Sequence, residues 1–489
     1  GSIHKTAGIS TLTYSCMSRD SFFFRWVALV ALVLCLTWPV QASSFTIGEE
    51  RKIGEYLLYS MRKELSTLDD PDISQYINNL GARVLENIGP QHFDYHFFVV
   101  KSDQFNAFAA PAGLVFFYTG LIETMKTEDQ LLSVLAHEIG HVVSRHIAQR
   151  LEKSSKISAL SLILGAAGLA LGVPGLSQGL LTGSMAAGQT LNLKYSREDE
   201  EQADRLAFGW MQRMQRDPEA MREMLQTMRR ITRYQIGPGT PQYLLTHPDP
   251  EARLGYVESL IEVDQQRQKP QAYVQTNNFA FLRFKYRVLV QSADPDRLRT
   301  SCVTLMNSAK EAEQRHMARY GLALLDARDH KYEQALQHLA RVHEQYPHES
   351  ILDVDRAVIL LQNGRYNEAR PVLEQAVKRD PTDLYGVYQL GKLESMSGNF
   401  PKARQLLLRV AAMMPEYAQL YFDLGQLEAN SGREGVSGFY LAKYNLYRGN
   451  IKTAKQYFMR AAKDTTIPEN MRSEAKQTVE KLDELEKEM

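Results

Sequence analysis

Apolar residues recur at helical spacing over residues 47–66 and again over 72–88, and the pattern then changes to an aromatic and β-branched run from Phe93 to Val100. The first two stretches predict helices and the third a strand. Residues 128–136 are rich in helix formers, with Leu131, Val134 and Leu135 on one face, and predict a helix that runs on into the histidines after it. A further helical stretch covers Arg205 to Arg233, and Gly237-Pro238-Gly239-Thr240-Pro241 comes after it as a loop.

Beyond Asp264 the composition shifts to Gln, Lys and Pro, which reads as a linker over 265–275. The rest of the chain is repetitive. Ala335, Ala369 and Ala403 recur every 34 residues, as do Pro347, Pro381 and Pro415, the pair Gly391 and Gly425, and the aromatics Tyr332, Tyr366 and Phe400. A small residue at the helix crossing and a proline closing the second helix, at this period, are the tetratricopeptide signature. Gly449, Ala454 and Phe458 belong to a helix pair off the strict period, so one helix is read as inserted over 436–448. Residues 470–489 predict a charged capping helix. The fold class is therefore mainly α: an α+β domain over 43–264, then an α-solenoid over 276–489 whose concave face suits protein segments. His316, His330, His338 and His343 read as surface or packing histidines.

Two stretches carry no charge. After Met17, Arg19 and Arg25 comes a run from Trp26 to Gln41, ending Val40-Gln41-Ala42. A basic start, an apolar core and small residues before a cut describe a secretory signal peptide over 17–42, with an uncleaved anchor as the alternative. Residues 1–16 read as leader sequence. Leu34, where a small residue is wanted before Cys35, excludes lipidation. The second stretch, residues 157–192, is rich in Leu, Ala and Gly and is broken by Pro174 and Gly175. It reads as an apolar flap over the active site, as a hairpin leaning on a membrane, or as a transmembrane hairpin.

Acidic and basic residues balance at 57 each, and no basic stripe appears, which excludes a nucleic-acid partner. Past the signal segment only Cys302 remains. One cysteine makes no internal disulfide, so export rests on the signal segment alone.

The chemistry centres on His137-Glu138-Ile139-Gly140-His141. Histidines four apart share a helix face and can offer two imidazole nitrogens to one metal ion. Glu138 stands beside the first, where a carboxylate can take a proton from water. This H-E-x-x-H pattern favours zinc. Catalytic zinc usually takes three protein ligands, and the helix itself does not supply the third: Ser144 and Ile147 occupy the positions where a glycine and a histidine would be needed. His146 is one residue out of register and reads as a structural histidine on the same helix. A carboxylate from a second helix remains, and residues 195–204 supply candidates.

This turn, together with Ser196-Arg197-Glu198-Asp199-Glu200-Glu201-Gln202-Ala203-Asp204, resembles the Ste24/HtpX-like zinc metallopeptidases, a glutamate-ligand class with a zincin-type domain. The resemblance implies that Glu200 is the third ligand and that Asp204 stands behind a ligand. One turn apart, one carboxylate can bind zinc while the other holds an imidazole N–H. Glu198, Asp199 and Glu201 read as a solvated acidic face. Residues 106–121 resemble the family's strand beside the metal, although Ala112 stands where a glycine is usual. They imply a substrate-binding strand of Asn106, Ala107, Phe108, Gly113, Leu114 and Val115, holding an extended peptide by main-chain hydrogen bonds. The alternative is a core hairpin. Residues 245–254 resemble the family's Thr-His-Pro segment with its downstream arginine. That implies Arg253 near the ligands and His247 at the zinc, either stabilising an oxyanion or filling the open position as a removable plug. The alternative is a turn histidine.

The expected reaction is peptide-bond hydrolysis with one Zn2+ held by His137, His141 and Glu200, and with Glu138 as general base. The order of export signal, metallopeptidase and repeats is similar to that of periplasmic quality-control peptidases of diderm bacteria. It implies a periplasmic enzyme acting on unfolded or misassembled outer-membrane proteins, with the outer-membrane assembly complex docked on the repeats and peripheral membrane contact as an option. The competing class is a chaperone or scaffold whose proteolysis is held off.

Overall fold

A computed structural model describes residues 46–153, 194–234, 242–267 and 272–488. The signal segment at 17–42 and the uncharged stretch at 157–192 fall outside those residues.

Helix α1 (Ile47–Glu64) starts where the Thr46 hydroxyl accepts from the Glu49 N–H and the Glu49 carboxylate accepts from the Thr46 N–H, so each satisfies a donor the other leaves open. Asp70 caps α2 (Pro71–Glu86) by accepting from the N–H groups of Asp72 and Ile73, with Pro71 preset for the first turn. Strands β1 (His96–Val100), β2 (Ala107–Ala110) and β3 (Leu114–Tyr118) form one sheet in the order β1-β3-β2, with β1 parallel and β2 antiparallel to β3. The residues expected to form the substrate strand fall in different elements of this region. Leu114 and Val115 lie in the central strand, paired with His96 and Phe97 on one side and with Ala110 and Ala109 on the other. Gly113 belongs to the turn at Pro111–Gly113. Only the Asn106 to Phe108 part borders the outer side of β2.

Helices α3 (Thr119–Thr124), α4 (Glu128–Val143), α5 (His146–Lys153), α6 (Arg197–Arg213), α7 (Glu219–Tyr234), α8 (Gln242–Thr246) and α9 (Pro250–Gln265) complete this part of the chain. The helical stretch expected over Arg205 to Arg233 is divided between two helices. Gln215 takes a left-handed backbone (φ 57°), and Asp217 accepts from the Glu219 N–H to start the second.

The repeats run as helix pairs: α10 (Phe279–Ser292) with α11 (Pro295–Ser308), α12 (Ala312–Arg328) with α13 (Tyr332–Gln345), α14 (Ile351–Gln362) with α15 (Tyr366–Arg379), α16 (Leu384–Met396) with α17 (Phe400–Met413), α18 (Ala418–Asn430) with α19 (Glu434–Tyr447), and α20 (Ile451–Lys463) with α21 (Glu469–Glu488). Second helices beginning at Tyr332, Tyr366, Phe400 and Glu434 keep the 34-residue step. No helix is inserted over 436–448; that segment is the second helix of its pair. Its start carries Glu434 in place of the aromatic and buried Ser437 in place of the alanine, so the letters drift while the backbone does not. The same holds at the turn within the four pairs from α12–α13 to α18–α19, where His330, Gly364, Gly398 and Gly432 all have positive φ.

The solenoid closes back on the peptidase part. One apolar core runs from Ile73 of α2 through Phe117, Leu135 and Phe281 to Ile359. At this junction Arg283 of α10 forks onto Asp355 of α14 (2.7 and 2.8 Å) and reaches Asp72 of α2 (2.8 Å), and Tyr320 donates to Asp355. Gln75 of α2 donates to Asp383 and accepts from the Leu384 N–H, which caps α16 from the other part of the chain. Arg62 of α1 donates to the carbonyls of Glu416 and Tyr447, and His96 pairs with the Glu416 carboxylate at 2.7 Å.

Candidate metal centre

Thr127 caps α4 by accepting from the Gln130 N–H, and the helix is buried along nearly its whole length through His141. Its neighbour α6 is capped by Ser196 and Asp199 in the same reciprocal manner as α1. The two helices touch at Gly140, where an added Cβ would stand 3.1 Å from Ala203 Cα. The glycine of the H-E-x-x-H turn thus sets how near Glu200 comes to the histidines.

His137 Nε2 lies 3.0 Å from His141 Nε2, 3.5 Å from Glu200 Oε2 and 3.4 Å from His247 Nδ1. Glu200 Oε1 is 3.4 Å from His141 Nε2 and 3.0 Å from His247 Nδ1. One ligand atom from each of these four buried residues lies within 4.8 Å of every other. A tetrahedral zinc with N and O ligands at about 2.0–2.2 Å spaces those atoms roughly 3.3–3.6 Å apart, so the donor set fits such an ion. Both Glu138 oxygens and His247 Nε2 are buried without a hydrogen-bond partner. They face one another, Glu138 Oε1 being 3.6 Å from His247 Nε2. Buried groups of this kind are normally satisfied, and here they point into the space a water or substrate would fill.

The surrounding charges keep Glu200 and Asp204 ionised, and although burial and Arg253 push the His137 imidazole down, Asp204 and Glu200 raise it to about 9. Asp204 Oδ1 is 2.8 Å from His137 Nδ1, which leaves Nε2 toward the centre. Arg253 of α9 forks onto Asp204 and reaches Glu200 Oε2 at 2.8 Å. Burial pushes the Glu200 carboxyl up, but Arg253 and the neighbouring imidazoles outweigh it and hold the group well below the usual carboxylate range. Asp204 behaves alike and is held down at about 2. Burial works the other way on His141 and drives its imidazole well below the usual histidine range, toward the neutral form a metal needs. His247 comes directly after α8, its N–H bonded to the Tyr243 carbonyl and its ring stacked on that of Tyr243 at 4.2 Å.

His137, Glu138, His141, Glu200, Asp204, His247 and Arg253 are thus brought together, and Asn106, Ala107 and Phe108 lie in or beside β2, which packs against α4. Gly113 lies in the Pro111–Gly113 turn, which also packs against α4, and Leu114 and Val115 lie in the central strand β3. Two expectations change. His146 is not on the helix of His141: α4 ends at Val143 and Arg145 is left-handed (φ 52°). Asp199 is not merely solvated, since it caps its own helix and meets Arg150 at 2.8 Å. Sequence reasoning gave no role to Tyr243 and Tyr195, whose rings flank His247 and His141; the four-residue step from Tyr243 to His247 was the available signal.

Residues 71–261 match the family model "Peptidase family M48", and 326–390 match a tetratricopeptide repeat. The beta-barrel assembly-enhancing protease of Escherichia coli (strain K12) is 31% identical over 347 residues, covering 68% of this chain and 69% of that protein. Its Yersinia pestis counterpart is 32% identical over 308 residues, 62% of each chain. The crystal structure of MamA aligns with 34% of this chain and 95% of its own at 20% identity, with a TM-score of 0.25, too low to carry an argument.

Proposed function

The chain belongs to peptidase family M48 and is a metalloendopeptidase, and from that premise we propose that it binds one Zn2+ through His137, His141 and Glu200 and hydrolyses peptide bonds of misfolded outer-membrane proteins in the periplasm. The observation that carries this is the convergence of those donors beside the unpaired Glu138 carboxylate. Bound zinc would supply Lewis acidity toward the scissile carbonyl and acidify nearby water. Glu138 takes the proton of the attacking water and delivers it to the leaving amine. Asp204 and Arg253 fix His137 and Glu200. The outer side of β2, which no strand covers among the described residues, offers main-chain groups to an extended peptide. This supports Asn106, Ala107 and Phe108 as substrate contacts.

His247 makes a fourth protein donor where three leave an open position. Its Nδ1 lies among the ligand atoms, which favours the plug over the oxyanion role, so the resting enzyme is held back until His247 leaves. Relatives named for β-barrel assembly support the envelope substrate class, and the repeats support docking on an assembly complex. Among the described residues no helix is long and apolar enough to cross a membrane.

Digestion of an unfolded outer-membrane protein by the purified chain tests the reading. Cleavage stopped by a chelator and restored by zinc is expected, with a faster basal rate in His247→Ala. Intact substrate in every lane with zinc bound, His247→Ala included, would favour the chaperone or scaffold reading.

A further inference from the structure

His141 is backed by a residue that neither the family motif nor the ligand set accounts for. The left-handed Arg145, whose Nε donates to Glu50 of α1 at 2.9 Å, breaks the chain between α4 and α5. The break folds the buried His146 ring back onto His141, with Nδ1 to Nδ1 at 2.8 Å. The other nitrogen of His146, Nε2, lies 3.1 Å from Oε1 of Gln202, two residues beyond Glu200 on α6.

Two facing Nδ1 atoms can bond only if one carries hydrogen and the other a lone pair. His141 turns Nε2 toward the ligand atoms of His137 and Glu200, so a metal there takes the Nε2 lone pair and leaves hydrogen on Nδ1. His141 Nδ1–H then donates to His146 Nδ1, and His146 Nε2–H donates to the Gln202 carbonyl oxygen, which can only accept. The reverse order would put hydrogen on His141 Nε2, aimed into the centre.

We infer that His146 is a positioning residue that locks His141 in its metal-binding tautomer, with Gln202 fixing the direction of the chain. It does for His141 what Asp204 does for His137, but as a neutral acceptor it supplies orientation without charge. The inference rests on His141 being a zinc ligand, as proposed above.

Zinc affinity measured against a chromophoric chelator tests it, using the full chain, His146→Ala and His146→Asn. The asparagine Oδ1 can accept near the place of Nδ1. His146→Ala should bind zinc about 10–100-fold more weakly, and His146→Asn should recover most of the loss. Unchanged affinity in His146→Ala, or equal losses in both variants, would overturn the positioning role. Absence of zinc binding by the unaltered chain would instead overturn the ligand assignment itself.

Discussion

The metal centre and the Arg283 cluster at the junction are both buried sets of carboxylates and cations, yet they are wired differently. At the junction, Asp355 and Asp72 each meet a guanidinium directly, with Tyr320 taking a remaining acceptor. Burial opposes the charge on Asp72, and Arg283 and Arg287 outweigh it. At the centre, Arg253 neutralises Asp204 and Glu200 from behind, but the Glu138 oxygens and His247 Nε2 make no hydrogen bond and face each other at 3.6 Å, and four ligand atoms converge. Buried charge by itself therefore marks no site. Donors that converge and stay unspent do.

The strongest way to break this contrast is Glu138→Gln. If its unpaired oxygens exist for chemistry, cleavage should fall about a thousandfold while zinc affinity and the unfolding midpoint stay put. A parallel fall in stability would make Glu138 another structural charge. At the junction, Arg283→Met leaves buried Asp355 without its guanidinium fork and Asp72 with Arg287 alone. We expect a loss of about 3–5 kcal/mol in denaturant unfolding, with zinc affinity preserved; weakened zinc binding at unchanged stability would dissolve the distinction.

Lys285 sharpens the comparison because it is a half-buried cation whose ammonium donates to a carbonyl, that of Met125 at 2.6 Å, and forms no ion pair among the described residues. Burial lowers its ammonium to about 8, with Glu123 opposing. Between that value and the ordinary 10.5 the unfolded chain holds more protons than the folded one, so this group adds stability as pH rises through the interval. The unaltered chain should therefore gain on Lys285→Met between pH 8 and 10 in thermal unfolding, and parallel curves would refute the assignment. The smallest effect belongs to the turn between β2 and β3. Ala112 has φ 63°, a conformation that favours glycine, and Ala112→Gly should stabilise by less than about 1 kcal/mol in denaturant melts.

Much of this arrangement was legible as spacing. His137 and His141 share a face because a helix turns every 3.6 residues, and the 34-residue step located the repeats as far as Pro415 and Gly425; where Glu434 and Ser437 replace the expected letters, the step is lost and the sequence wrongly reads as carrying an inserted helix. Glu200, Asp204, His247 and Arg253 were named from the resemblance, since no local rule says which of several acids in residues 198–204 reaches another helix. What stayed hidden depends on contacts between distant segments. The central place of β3 is set by β1 pairing with it, and the position of His146 by one left-handed residue that has no sequence signature in an arginine. The covering of solenoid helices by α2 comes from Arg283 and Gln75, which read locally as ordinary surface residues.

That covering bears on how the chain is made. Asp72 is synthesised 211 residues before Arg283, and Arg62 is synthesised 354 residues before Glu416. While the polypeptide is still emerging, its early helices carry acids and an arginine whose counterparts have yet to leave the ribosome. The contacts that join the two parts therefore form only after the repeats have been made, and a product truncated within them would lack part of that junction.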